Sequence, residues 1–292
     1  MLNSRAIFLL TVAIAFCGFY FSSIVAFLSE VAGARIAGTF AYPPRAPGSA
    51  PPNVHIASSM PSYRAPLVIP AIGRHTATVI FAHGLGDTGH GWSDVVQAFQ
   101  RNGRLNEVKF ILPHAPVIPI TVVSPYSRFT DVARRPKTQD PAYADKPFAM
   151  ARMVDIPHQD GTDLMNPKDS EEDEEGIRES RKYLQSLIDN EIERNGIPSG
   201  RIVLGGFSQG GAMSIFTGLT SPVKLGGVVA LSCWLLLNSK FKSFLPEGDV
   251  NKQTPVFMGH GDADPLVRYQ WGQATQKALT DLGFSVDLKA YR

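Results

Sequence analysis

The sequence predicts an α/β chain, a doubly wound and mostly parallel sheet, preceded by an N-terminal helix of transmembrane length. Three observations carry this. First, apolar, β-rich runs alternate with segments of helical periodicity, the pattern that builds parallel sheets covered on both faces. Second, the glycine-bearing loops with chemically able side chains all follow strand ends, where ligands bind in open α/β sheets. Third, residues 6–29 read AIFLLTVAIAFCGFYFSSIVAFLS without a charge, long enough to cross a bilayer as a helix.

Composition sets the outer limits. The 292 residues are 44% hydrophobic and 18% charged, enough to bury a sizeable core in one domain with appendages. A net charge of +2 with no basic stripe gives no footprint for nucleic acid. Cys17 and Cys233 lie too far apart in character and sequence to suggest a disulfide framework. No CxxC or HExxH spacing is present, so neither a metal nor another cofactor is implied.

Residues 1–35 are read as a signal-anchor or a cleaved signal peptide. The long apolar core favours the anchor, and Ala32, Gly33 and Ala34 leave a cleavage site open. Arg5 before the run and Arg35 and Arg45 after it do not choose a membrane side. Residues 36–70 carry prolines at 43, 44, 47, 51, 52, 61, 66 and 70 and are expected to form an extended linker. The globular domain is assigned to residues 71–292.

Within it, Thr76–Ala82 reads as a buried parallel strand. His83-Gly84-Leu85-Gly86-Asp87-Thr88-Gly89-His90-Gly91-Trp92 follows. Such a loop can bring backbone N–H groups close to a substrate oxygen, or simply make a tight turn. Glu107–Leu112 is the next strand, stopped by Pro113-His114-Ala115-Pro116. Residues 120–169 make an uncommonly long irregular stretch, a cap over the site or a disordered insertion. The acidic residues Glu171–Glu175 read as a helix N-terminus rather than a cation site, because carboxylates suit the positive end of the helix dipole. Ile177, Leu184, Leu187, Ile188 and Ile192 continue that helix at helical spacing, and Gly196 with Pro198 stops it.

The organising stretch is Arg201–Ser214, an apolar run ending in Gly206-x-Ser208-x-Gly210 and passing into a helix. This is the pattern of a nucleophile elbow, with Ser208 as candidate nucleophile. A strand that turns directly into a helix strains the serine, and glycines on either side keep Cβ atoms out of the crowded approach. Gly226–Ser232 is a strand leading to Cys233-Trp234-Leu235; a tryptophan there is more often core than pocket wall, but the place of Trp234 just past a strand end would suit an acyl-chain channel. Thr254–Gly259 is a strand before His260-Gly261-Asp262-Ala263-Asp264-Pro265-Leu266-Val267; a helix over Tyr269–Leu282 and a strand over Phe284–Tyr291 finish the chain.

These blocks, in this order, resemble the acyl-protein thioesterase/lysophospholipase family of α/β-hydrolases, from about Pro66 to the end with an interruption around 122–152. The resemblance implies an α/β-hydrolase fold and a serine hydrolase acting on thioesters of S-palmitoylated proteins, with lysophospholipids or other esters as further substrates. It implies Ser208 as nucleophile and Asp264 as triad acid, with Asp262 as runner-up. The backbone N–H groups of Leu85 and Gln209 would form the oxyanion hole, and Trp92 and Trp234 would contact substrate. The chain departs from the family in three ways. The family places its base in a Gly-Met-x-His turn a few residues past Tyr291, but no histidine follows Asp264. The expectation is therefore an incomplete or truncated C-terminus, with a catalytically impaired acyl-chain or lipidated-protein binding module as the alternative function. Val122–Met150 is an insertion, followed by Met153-Val154-Asp155-Ile156 where the family has Trp-Phe-Asp-Ile. The N-terminal segment suggests a membrane or secretory location, whereas the family is otherwise cytosolic.

Overall fold

The structure, a computed structural model, describes residues 23–29, 63–116 and 172–292. Residues 6–22 of the apolar run, the proline-rich stretch up to residue 62, the insertion expected at 122–152 and residues 153–156 lie outside the described part.

Seven strands form one sheet: β1 (Leu67–Ile69), β2 (Ala77–Ala82), β3 (Val108–Leu112), β4 (Ile202–Phe207), β5 (Gly227–Leu231), β6 (Val256–Gly261) and β7 (Val286–Tyr291). Their order is β1-β3-β2-β4-β5-β6-β7. β1 pairs antiparallel with β3, and every other pair is parallel. All six residues of β2 are buried, as are all five of β5 and all six of β6. A strand covered on both faces has no polar alternation to show, which is why these read as continuous apolar runs.

Helices α2 (Ser93–Arg101), α3 (Glu174–Glu193), α4 (Gln209–Leu219) and α5 (Tyr269–Asp281) connect the strands. α3 begins where the acidic run predicts. Asp173 caps it by accepting a 3.0 Å hydrogen bond from the Gly176 amide, and Glu174 and Glu175 fill the first turn. Its buried stripe includes Ile177, Leu184, Leu187 and Ile188. After Arg194, Gly196 takes the positive φ of 65° that ends the helix. Every residue of α4 is buried, so it is a central core helix rather than an amphipathic surface one.

The core has two parts, one on each face of the sheet. On one face, α3, α4 and α5 pack Leu184, Ile188, Ile215, Phe216 and Leu279 against Ile80, Leu204, Val228 and Met258. On the other, Trp92, Val96 and Phe99 meet Phe81, Phe110, Val203, Val229 and Phe257. Each fully buried side chain of this size contributes about 1.5–3 kcal/mol relative to exposure, so the two layers together hold the sheet rigid beneath its loops.

One expectation needs correction. Residues 67–69, assigned to the linker, form β1, with Leu67, Val68 and Ile69 opposite Leu112, Ile111 and Phe110. An edge strand of three residues between Pro66 and Pro70 is too short to show a period of its own. The helix of transmembrane length expected from residues 6–29 lies largely outside the described part; among the described residues no helix is long and apolar enough to cross a membrane. The described residues 23–29 of that run are helical, α1, and their Ile24, Val25 and Leu28 are buried in the second-face core. An uncharged run satisfies a protein core as readily as a bilayer, so hydropathy alone does not separate the two destinations.

Candidate active site

The register of the parallel strands brings the predicted loops together. Ala82 lies opposite Gly206, Phe207 opposite Leu231, and Gly261 opposite Tyr291, so β2, β4, β5 and β6 end near one level. β3 lies on one side of β2 and β4 on the other. The loops leaving β2 and β4 therefore flank the topological switch point, the usual ligand crevice of such sheets.

One residue, Ser208, separates β4 from α4. It sits at φ 54°, ψ −118°, a strained conformation for any residue but glycine. Its amide donates to the Leu231 carbonyl at 2.8 Å, and its carbonyl accepts from the Ala212 amide at 2.9 Å. The turn is thus fixed to β5 on one side and to the first turn of α4 on the other. The flanking glycines are sterically required. A Cβ on Gly206 would come within 2.7 Å of the Gly211 nitrogen, and one on Gly210 within 2.6 Å of the His83 carbonyl oxygen. Both obstacles are backbone and cannot swing away. Gln209 is buried and opens α4; its N–H has no intrahelical carbonyl to bond, as for every first-turn amide, and the helix dipole favours negative charge there.

The loop after β2 carries Leu85, half exposed at 49%, before Gly86 turns at φ 76°. Asp87 Oδ1 accepts from the Thr88 amide at 2.7 Å, and a 3-10 turn over Gly89–Trp92 leads into α2. His83 and His114 stitch this loop to the one after β3. The ring of His83 donates from Nδ1 to the Gly84 carbonyl at 2.8 Å and accepts at Nε2 from the Ala115 amide at 3.2 Å. His114 Nδ1 accepts from the Gly89 amide at 3.1 Å. Burial holds the His83 pKa below the ordinary histidine value, which matches a neutral ring with both nitrogens in use.

Asp264 lies in the loop after β6, where its Oδ1 accepts from the amides of Leu266 and Val267 at 2.9 and 3.0 Å. Asp262 is more open, its amide bonded to the Tyr291 carbonyl at 2.8 Å and its carboxylate 3.6 Å from Arg292. His260 is fully buried and donates from Nε2 to the Val267 carbonyl at 2.7 Å; burial lowers its pKa as well. Trp92 is buried, with ring centroids 4.5 Å from Phe81 and 5.9 Å from Phe207. Trp234 is partly buried and meets Trp271 edge-on at 6.3 Å.

One feature has no signal in the motifs. A shallow cleft opens beside Gln209, bordered by Tyr63, His83, His114, Tyr183, Met213 and neighbours. Tyr63 and Tyr183 stack there with centroids 3.8 Å apart. Pro113-His114-Ala115-Pro116 could have been placed at this cleft from its position after a strand; Tyr63, in a proline-rich context, could not.

The sheet order and the strand–Ser208–helix turn define an α/β-hydrolase fold. The chain belongs to the phospholipase/carboxylesterase family, matched over residues 64–150 and 161–292. It is 48% identical over 228 residues to acyl-protein thioesterase 1 of Neurospora crassa, covering 78% of this chain and 83% of that one. It is 46% identical over 227 residues to acyl-protein thioesterase 1 of Gibberella zeae, covering 78% and 86%. Among solved structures, acyl-protein thioesterase 2 of Zea mays superposes with a TM-score of 0.59 at 27% identity, covering 79% of this chain and 90% of that one.

Proposed function

We propose that the protein is a serine hydrolase of long-chain acyl thioesters on S-acylated proteins, with lysophospholipids or other carboxylic esters as further substrates. The observation that carries this reading is Ser208 itself, held at φ 54° between β4 and α4 in a chain 48% identical to an acyl-protein thioesterase. Ser208 Oγ attacks the acyl carbonyl, the sulfur leaves, and water then releases the fatty acid from the acyl-serine. The oxyanion forms against the N–H groups of Gln209, at the start of α4, and Leu85, on the loop beside it. Asp264 is the acid of the triad, its carboxylate fixed by two backbone amides. Its partner base is assigned to no residue: His83 uses both ring nitrogens on backbone groups, and His260 is fully buried with Nε2 on the Val267 carbonyl. The uncharged sequence of residues 6–29 supports membrane association of the same chain.

The test is labelling with a fluorophosphonate probe alongside release of palmitate from a palmitoyl thioester, comparing the protein with Ser208→Ala. Labelling and turnover that vanish together in the variant are expected. Folded protein that binds palmitate but neither labels nor turns over would instead make it an acyl-binding module.

A further inference from the structure

His260 sits on β6, opposite Ala290 of β7, and its ring is fully buried against α5. Gly272 of α5 lies so close that a Cβ there would come within 2.6 Å of Nδ1, and Tyr269 meets the ring edge-on with centroids 5.8 Å apart. Nδ1 has no hydrogen-bond partner among the described residues, while Nε2 lies 2.7 Å from the Val267 carbonyl. A proton on Nδ1 would be a buried donor without an acceptor. The ring is therefore neutral and keeps its one proton on Nε2, where it donates to Val267.

Val267 is engaged from the other side as well. Its amide donates to Asp264 Oδ1 at 3.0 Å, beside the Leu266 amide at 2.9 Å. The loop from β6 to α5 is exposed at Asp262, Ala263, Pro265 and Leu266, and main-chain bonds tie its ends, from the Asp262 amide to Tyr291, from Asp264 to Gly261 and from Trp271 to Arg268. Those bonds set where the loop leaves and rejoins the fold. The Asp264 carboxylate takes its direction from the two amides, and Val267, which carries one of them, is fixed by its buried side chain and by the imidazole. The carboxylate acts back on the ring: burial lowers the His260 pKa, and the bond to Val267 and the charge of Asp264 partly offset this. We propose that His260 is a positioning residue for the triad acid, orienting the Asp264 carboxylate through Val267. This rests on the hydrolase reading, in which the acid works by orienting the base and stabilising its charge. Oδ1 is committed to two amides, so their placement decides where Oδ2, the oxygen left for the base, points. His260 itself makes and breaks no bond. Releasing Val267 turns the carboxylate off line, and a misplacement of about 1 Å costs on the order of 10²-fold in rate.

The experiment uses the whole chain and compares His260→Leu, which removes the donor, with His260→Gln, whose amide can still donate to Val267, each with and without Asp264→Asn. The last change keeps an oxygen for the two amides and removes the charge. Palmitoyl thioester hydrolysis and the rate of fluorophosphonate labelling report on the reaction, and amide hydrogen exchange reports on the loop. His260→Leu should lower kcat and the labelling rate on the order of 10²-fold with KM within about 3-fold, and His260→Gln should restore most of the loss. In the Asp264→Asn background His260→Leu should cost less than about 3-fold more, since its effect runs through the charge that is already gone. Exchange at the Leu266 and Val267 amides should rise about tenfold or more in His260→Leu, with the Ala212 amide of the elbow unchanged. If His260→Leu does not fold, Gly272→Ala displaces the ring with a single methyl and serves the same comparison. Equal losses with and without Asp264→Asn, or no rescue by glutamine, would overturn the positioning role, and unchanged exchange at Leu266 and Val267 would overturn the link itself. An unaltered protein that neither labels nor turns over would overturn the hydrolase reading and the catalytic role of His260 with it, while the exchange data would still decide whether His260 holds the Asp264 loop.

Discussion

Gly210 lies so close to the end of β2 that a Cβ there would run into the backbone carbonyl of Ala82. The start of α4 is therefore pressed against the strand whose following loop carries Leu85. The two proposed oxyanion donors, the amides of Gln209 and Leu85, belong to the two segments that meet at this contact. Gly210→Ala is expected to separate them. Because the obstacle is backbone, the variant should lose about 1–3 kcal/mol of stability from overpacking. It should also lose on the order of 10²-fold in kcat for thioester hydrolysis, the scale of a displaced oxyanion donor. Urea unfolding and steady-state kinetics on the same preparation would check both. A stable variant with unchanged kcat would detach the oxyanion role from this contact.

The positive φ of Ser208 has its own consequence. Replacing it by alanine removes the hydroxyl and keeps the strain, while replacing it by glycine removes both. The strain of such a conformation is about 1–3 kcal/mol, partly offset by the extra unfolded-state freedom of glycine. Ser208→Gly should thus unfold roughly 2–4 °C above Ser208→Ala, with both inactive. Calorimetry of the two variants measures the difference. A midpoint for the glycine variant at or below that of the alanine variant would show that the turn is not strained.

The elbow and the sheet were legible in the sequence for a common reason: their determinants are local. Gly206 is needed by the geometry of its own turn, where a Cβ would meet the backbone of Gly210 and Gly211, and β2 and β6 are apolar throughout because both faces are covered. α3 announced itself through its acidic first turn and Gly196. What escaped the sequence depends on partners far along the chain. β1 exists because β3 offers it an edge. Trp92, read as a substrate contact, has its indole against Phe81 and Phe207, neither of which is marked in the sequence as its neighbour. Nothing in the sequence sets Glu191 apart from the other charges of α3, yet its side chain is 1% exposed.

That glutamate is the hub joining α3 to the sheet. Its Oε1 accepts from Lys109 Nζ at 2.5 Å and from Asn195 Nδ2 at 2.9 Å, and its Oε2 from Thr78 Oγ1 at 2.6 Å. Lys109→Met strands the buried carboxylate and should cost about 3 kcal/mol. Replacing both partners, Lys109→Met with Glu191→Leu, should cost clearly less than the two single changes added together, since neither charge is then left alone. Urea midpoints for the cycle give the coupling. Simple additivity would mean that the pair does not act as a unit.

Stability should also fall on mild acidification. Burial lowers the pKa of His83 and of His260, and the ring contacts described above suit their neutral forms. In the unfolded chain both return to about 6.5. Above that pH neither state is protonated and the two histidines contribute no pH dependence. As pH drops below about 6.5, the unfolded chain takes up protons that the folded chain does not, so unfolding becomes easier. Each group contributes a slope of up to about 1.4 kcal/mol per pH unit until its folded pKa is reached. Most carboxylates titrate lower, so a series of urea midpoints from pH 7.5 to 5.5 isolates the histidines. The unaltered protein should hold constant stability to about pH 6.5 and then decline. His260→Gln, whose side-chain amide can still donate toward the Val267 carbonyl, should start lower at pH 7.5 and decline less steeply; an equally steep decline would assign the effect to other groups.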